Sequence, residues 1–258
     1  MAFDLKGADY LLAMREEHGN VAPAMISKGE DLGDIRTDVP YQLITILSNI
    51  YPWMTDGKKI AVLTRRCDEK ALAEFFKREY FDRARIVQIG LACGEEQIRK
   101  CRCSDPVPSV VDVGEPHVGI GSDALSEKLM GMPSEDRLRF WVYQFRKCNK
   151  CFACTVNCPV CFCDECVLEE RTFVPEKGVP PGMSFHLIRA YHLSDKCVEC
   201  GECERSCPAG IPLLTFRKLV AKDFKDLFKF SPGDDKIVSP LLTTLEGEPL
   251  GGGECDEC

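Results

Sequence analysis

The stretch Lys147–Cys166, KCNKCFACTVNCPVCFCDEC, places seven cysteines within nineteen residues, from Cys148 to Cys166. Its first four follow Cys148-x2-Cys151-x2-Cys154-x3-Cys158-Pro159. The same spacing returns downstream as Cys197-x2-Cys200-x2-Cys203-x3-Cys207-Pro208. Three thiolates at i, i+3 and i+6 wrap one face of a four-iron cluster, while the fourth cysteine, just before the proline, points away and ligates the neighbouring cluster. The spacing therefore predicts one 4Fe-4S cluster on Cys148, Cys151, Cys154 and Cys207 and a second on Cys197, Cys200, Cys203 and Cys158. Two independent zinc sites would need neither the reciprocal repeat nor the prolines.

Composition is compatible with that reading. The chain has 258 residues, 45% of them hydrophobic, enough for one large domain or two small ones with a real core. Seventeen cysteines would suggest disulfides in a short secreted chain. The opening MAFDLKGADY, however, has no charged region, apolar core or small-residue cleavage site of a signal peptide. The thiols are expected to be reduced and metal-binding, in a cytoplasmic protein. A formal charge of −8, with basic residues interleaved among acids, argues against a nucleic-acid partner. The longest apolar run, 41–54, is broken by Gln42, Thr45, Ser48, Asn49 and Pro52 and is shorter than the roughly 20 residues a membrane span requires, so none is expected.

Upstream, KKIAVLTRR (58–66), DEKALAEFFKREYF with Ala71, Leu72, Phe75 and Phe76 at helical spacing, and RIVQIGLACG (85–94) read as strand, helix, strand. Such a βαβ crossover makes the strands parallel with their carboxyl ends on one edge, where open α/β sheets place their sites. Cys67 closes the first strand and Cys93 lies just beyond the second. With Cys101 and Cys103 of the loop IRKCRCSDP they form a candidate four-thiolate pocket for a third 4Fe-4S cluster; the alternative is four unrelated thiols. Residues 1–57 read as an N-terminal extension with one helix near 40–51 and otherwise irregular chain. A strand is expected at 110–113 and helices at 124–130, from Ser134 through Phe145, along SFHLIRAYHL, and after Ile211 with Pro212 in the first turn.

The remaining cysteines are Cys161, Cys163, Cys166, Cys255 and Cys258. Cys163–Cys166 and Cys255–Cys258 are the same tetrapeptide, CDEC, and together the five make a candidate fourth site, for zinc or a further cluster. The glycines Gly251–Gly253 speak instead for an acidic tail. Gly119-Ile-Gly121-Ser-Asp-Ala124 fits a G-x-G-x-x-A pattern, but no clear strand precedes it, so a plain loop is the better reading. His186 and His192 read as packing or partner-contact residues. Glu199, Glu202 and Glu204 are expected to depress the potential of the second cluster, and Phe152, Val160, Phe162 and Ile211 to exclude water.

The segments KIAVLTRRCDEKALAEF, IVQIGLACG, KCRCSDP and KCNKCFACTVNCPVCFCDEC together resemble the β subunits of deazaflavin-coenzyme-dependent hydrogenases and formate dehydrogenases, over residues 58 to 210. The resemblance implies an α/β domain with one 4Fe-4S cluster, on whose cysteine positions Cys67, Cys93, Cys101 and Cys103 fall. Flavin-bearing members carry a further large α/β region, whereas here the chain passes to the ferredoxin spacing within about forty-five residues; flavin is not expected. The fold class expected is α+β: a small degenerate α/β domain (58–132) joined to a ferredoxin-like dicluster domain with flanking helices (133–232), after the extension 1–57 and before the tail 233–258. The function implied is that of a non-catalytic iron-sulfur electron-transfer subunit, its partners a flavoprotein and a catalytic oxidoreductase subunit of an anaerobic complex. The alternatives are a flavin- or deazaflavin-reducing oxidoreductase and a metal-binding assembly module.

Overall fold

The computed structural model describes residues 3–4, 6–120, 123–163, 165–172, 174, 178–234 and 236–241. Its organising strand is β3 (Ile60–Thr64), five residues that are all buried. A continuous apolar run suits a strand covered on both faces, as in parallel sheets. Helix α2 (Arg66–Phe76) carries the chain to β4 (Ile86–Gly90), which pairs parallel with β3 from Ile60↔Ile86 to Thr64↔Gly90. The expected βαβ unit is present.

The first 57 residues depart from expectation. They hold a hairpin of β1 (Tyr10–Glu17) and β2 (Asn20–Ser27), and β1 pairs parallel with β3, giving a four-stranded sheet of order β2-β1-β3-β4. The turn residues His18 and Gly19 both have positive φ, 53° and 75°, the backbone twist that a two-residue hairpin favours. Two features conceal the hairpin in the sequence. β1 is buried along Leu11-Leu12-Ala13-Met14, so it does not alternate, and Pro23 interrupts β2, which is tolerated because β2 is an edge strand. Helix α1 (Leu43–Ile50) follows where a helix was expected.

Beyond β4 the chain forms α3 (Glu95–Cys101), α4 (Ala124–Met130) and α5 (Ser134–Phe145). The strand expected at 110–113 is reduced to one bridge, Leu91↔Val113. Gly90 explains why that loop lies so close: a Cβ there would sit 1.7 Å from the Val110 carbonyl oxygen. The Gly90 carbonyl accepts from Asp112 and Val113 N–H, at 2.8 and 2.9 Å. In α5 Trp141 and Phe145 are buried as expected, but Leu138 is 54% exposed. Helices α6 (Ala153–Val156), α7 (Met183–His192), α8 (Glu202–Arg205) and α9 (Leu213–Phe228) are the remaining helices among the described residues; Pro212 sits at the N-cap of α9 rather than inside it.

The sheet and the cysteine-rich half share a core. Val160, Leu193 and Val198 are buried in the same cluster as Leu12, Val62, Leu72 and Phe75, and the Phe75 and Phe162 rings are 4.9 Å apart. Among the described residues no helix is long and apolar enough to cross a membrane. Leu72 is fully buried against the sheet, so Leu72→Ala is expected to cost ~2–5 kcal/mol of unfolding free energy, whereas Leu138→Ala stays within ~0.5 kcal/mol; denaturant titration of both variants checks this.

Candidate metal centre

Each cysteine repeat folds the same way. Lys150 and Phe152 in the first copy, and Glu199 and Gly201 in the second, occupy equivalent positions and all have left-handed φ, between 54° and 81°. Each copy then enters a four-residue helix, α6 or α8, capped by Phe152 or Gly201. The left-handed residue two places after a cysteine turns its N–H back to the sulfur: Lys150 N–H lies 3.4 Å from Cys148 Sγ and the Glu199 amide does the same for Cys197, while the amide of Glu202, the first residue of α8, donates to Cys200. Glycine takes this conformation freely at 201; Phe152 takes it with its ring packed edge-on against Phe185, centroids 5.6 Å apart.

The two copies exchange their fourth cysteines. One cavity of about 20 Å³ is lined by Cys148, Cys151, Cys154 and Cys207, and another of about 20 Å³ by Cys158, Cys197, Cys200 and Cys203. These are the two sets that the spacing grouped. A third cavity, of about 50 Å³, is lined by Cys67, Cys93, Cys101 and Cys103. It sits at the carboxyl edge of β3 and β4. Cys67 belongs to the first turn of α2 rather than to the strand, and Cys101 is the last residue of α3 rather than part of a loop. Cys200 lines the second and third cavities alike, so these two adjoin.

Burial governs the thiols. It pushes Cys67 and Cys200 well above the usual range, Cys203 up to about 12, and Cys93 and Cys197 to about 11, with neighbouring thiols adding to each shift. Bare thiolates are therefore disfavoured in these cavities, and bound cationic metal is what would hold them ionised. A single zinc ion draws its donors to within about 2.3 Å of one centre. Among the described residues no group of three or more His, Cys, Asp or Glu is placed to hold a single ion. The donor sets fit instead a larger thiolate-bound cluster, with polar groups already aimed at sulfur: Gln42 Nε2 donates to Cys67 Sγ at 2.9 Å and Arg205 Nη1 to Cys101 Sγ at 3.3 Å.

Residues 190–212, which hold the whole second repeat, match the family model described as a 4Fe-4S binding domain. This chain carries a ferredoxin-type 4Fe-4S domain. Over 107 residues, 41% of its length, it is 40% identical to the F420-dependent formate dehydrogenase subunit beta of Methanocaldococcus jannaschii. Over 117 residues, 45% of its length, it is 38% identical to the F420-dependent formate dehydrogenase 1 subunit beta of Methanococcus maripaludis. The chain spans only 28% and 27% of the lengths of these relatives.

Around the ferredoxin-type domain, several expectations are refined. Glu202 is buried and paired with Arg205 at 2.8 Å. Glu204 is paired with Arg102 and accepts the Leu214 N–H at 2.8 Å, so two of the three acids carry their own counter-charges. Val160 and Ile211 are buried as expected, while Phe152 and Phe162 are half-buried. His186 packs flat on Phe145 with ring centroids 4.1 Å apart. Burial, with Arg217 and Arg189 nearby, pushes its pKa down to about 4, which makes it a neutral ring. His192 is exposed. Of the candidate fourth site, Cys161 is half-buried and lies near Cys158, Cys163 and Cys166, and Cys163 is exposed. Cys255 and Cys258 lie outside the described residues. Gly121 of the G-x-G-x-x-A pattern is likewise outside them, whereas Asp123 caps α4 and pairs with Arg102 at 3.2 Å.

What sequence reasoning missed are the buried cations: Arg65, Arg189 and Arg217, each 4% exposed. The signal was available, since Arg189 falls four residues after Phe185 and Arg217 four after Leu213, which puts both on the apolar faces of their helices. Because Cys158, Cys197 and Cys200 pack into the shared core, stripping metal with a chelator under reductant is expected to lower the melting temperature of the whole chain as one transition, seen by circular dichroism.

Proposed function

We propose that the chain is a non-catalytic iron-sulfur subunit that relays single electrons between partner subunits of an anaerobic redox complex. The observation that carries this reading is the set of three cysteine-lined cavities, the first two lined by four cysteines each and the third by Cys67, Cys93, Cys101 and Cys103 together with Cys200 of the second. Cys148, Cys151, Cys154 and Cys207 would hold one 4Fe-4S cluster, Cys158, Cys197, Cys200 and Cys203 a second, and Cys67, Cys93, Cys101 and Cys103 a third. When bound, such clusters take up and release one electron at a time with little rearrangement.

The chain's own residues do the rest. Val160, Ile211 and the aromatic rings of Phe152 and Phe185 keep water from the sulfur ligands. Gln42, Arg205 and the left-handed Lys150 amide donate to cysteine sulfur, which stabilises negative charge there. The α3–α4 segment is tied to the ferredoxin-type domain by Arg102, which donates to Thr215 Oγ1 at 3.0 Å and pairs with Glu204 and Asp123. That tie fixes the spacing of the third cavity from the other two.

The partners proposed are a flavoprotein and a catalytic oxidoreductase subunit of the formate dehydrogenase, hydrogenase or heterodisulfide-reductase kind, in an anaerobic cytoplasm. The names of the relatives support the first of these. Anaerobic purification of the full chain, followed by iron and sulfide analysis, EPR and optical spectroscopy, is the test. The expected result is about 12 iron and about 12 sulfide per chain without flavin absorbance. About 8 iron would remove the third cluster, zinc without sulfide would sink the relay altogether, and bound flavin would favour the flavin-reducing alternative.

A further inference from the structure

The second cavity contains a pair of charges that the cysteines alone do not explain. Arg217 on α9 and Arg189 on α7 are each only 4% exposed, and both line the cavity of Cys158, Cys197, Cys200 and Cys203. Arg189 donates one N–H to the Cys154 carbonyl, and its Nε has no partner; in Arg217 both Nε and Nη1 are without one. Among the described residues neither guanidinium is paired with a carboxylate, although Glu199 lines the same cavity. Two buried like charges with orphaned donors are strongly unfavourable unless an anion accepts from them. The first cavity is built differently: His186 is a neutral ring there, and Lys150 is its one lining cation.

We propose that Arg217, with Arg189 beside it, tunes the second site. Their unpartnered N–H groups donate to the sulfur of the cluster held by Cys158, Cys197, Cys200 and Cys203 and stabilise its reduced form over that of the first cluster. The inference rests on the relay reading above and adds the direction of the internal electron preference. Reduction adds one negative charge at this site and makes or breaks no bond. Arg189 also reaches the first cysteine set through the Cys154 carbonyl, so the difference between the two sites rests on Arg217, which lines the second cavity and not the first and is little screened by water. The second cluster is thus the electron-holding member of the pair.

Potentiometric EPR on the anaerobically purified full chain, with dithionite as reductant, tests this. The couple of the second site is the one whose spectrum changes in Cys203→Ser. Arg217→Met is expected to lower that potential, so that electron occupancy moves at least tenfold toward the first cluster, about 59 mV for one electron. Arg217→Lys, which keeps the charge but loses the planar fork, is expected to fall between. An unmoved potential in Arg217→Met at wild-type iron content overturns the proposal. If Arg217→Met loses the second cluster, Arg217→Gln is read in its place: a lowered potential supports the proposal and an unmoved one overturns it. A wild-type chain without iron and sulfide overturns the relay reading and this inference together, whereas intact clusters with unmoved potentials overturn this inference alone.

Discussion

The structure depends on an exchange: Cys158 leaves the first repeat to line the second cavity, and Cys207 leaves the second repeat to line the first. Neither repeat completes its own set of four thiols. Helices α6 and α8 must therefore face one another, and α7 and α9 are drawn across them with their apolar faces inward. The prolines after Cys158 and Cys207 end each turn where the chain must cross. Everything at that junction is short and sterically fixed, including the four left-handed residues, of which Lys150 and Glu199 aim their backbone N–H groups at sulfur.

A buried set of thiols raises an electrostatic problem that the fold meets with positive groups rather than with solvent. Arg65 donates to the carbonyls of Thr37, Val39 and Tyr41 and lines the third cavity. Arg205 bridges Cys101 and Glu202, and Arg189 and Arg217 stand at the second cavity. A chain that is acidic overall, at −8, thus has a cationic interior around its sulfur.

The pairing of Cys148, Cys151 and Cys154 with Cys207 was legible because cysteine spacing encodes local geometry directly. The third cavity was legible because parallel strands must end on one edge, which brings Cys67 toward Cys93 whatever lies between. The hairpin of residues 10–27 was not, because β1 is buried on both faces and Pro23 masks an edge strand; neither leaves the alternation that marks a half-buried strand. For Arg189 and Arg217 the helical spacing was legible but their burial was not. An arginine on an apolar helix face ordinarily extends its charge to solvent, and only the neighbouring cysteines, distant in sequence, make burial tenable.

Val160, Leu193 and Val198 lie in the same core as the strands of the sheet. An electron shuttle that swings between partners needs a joint that opens, and here the would-be joint is filled with packed side chains. In the proposed relay the chain would be a fixed span rather than a shuttle: the distance between its cysteine-lined cavities is set once, when the protein folds.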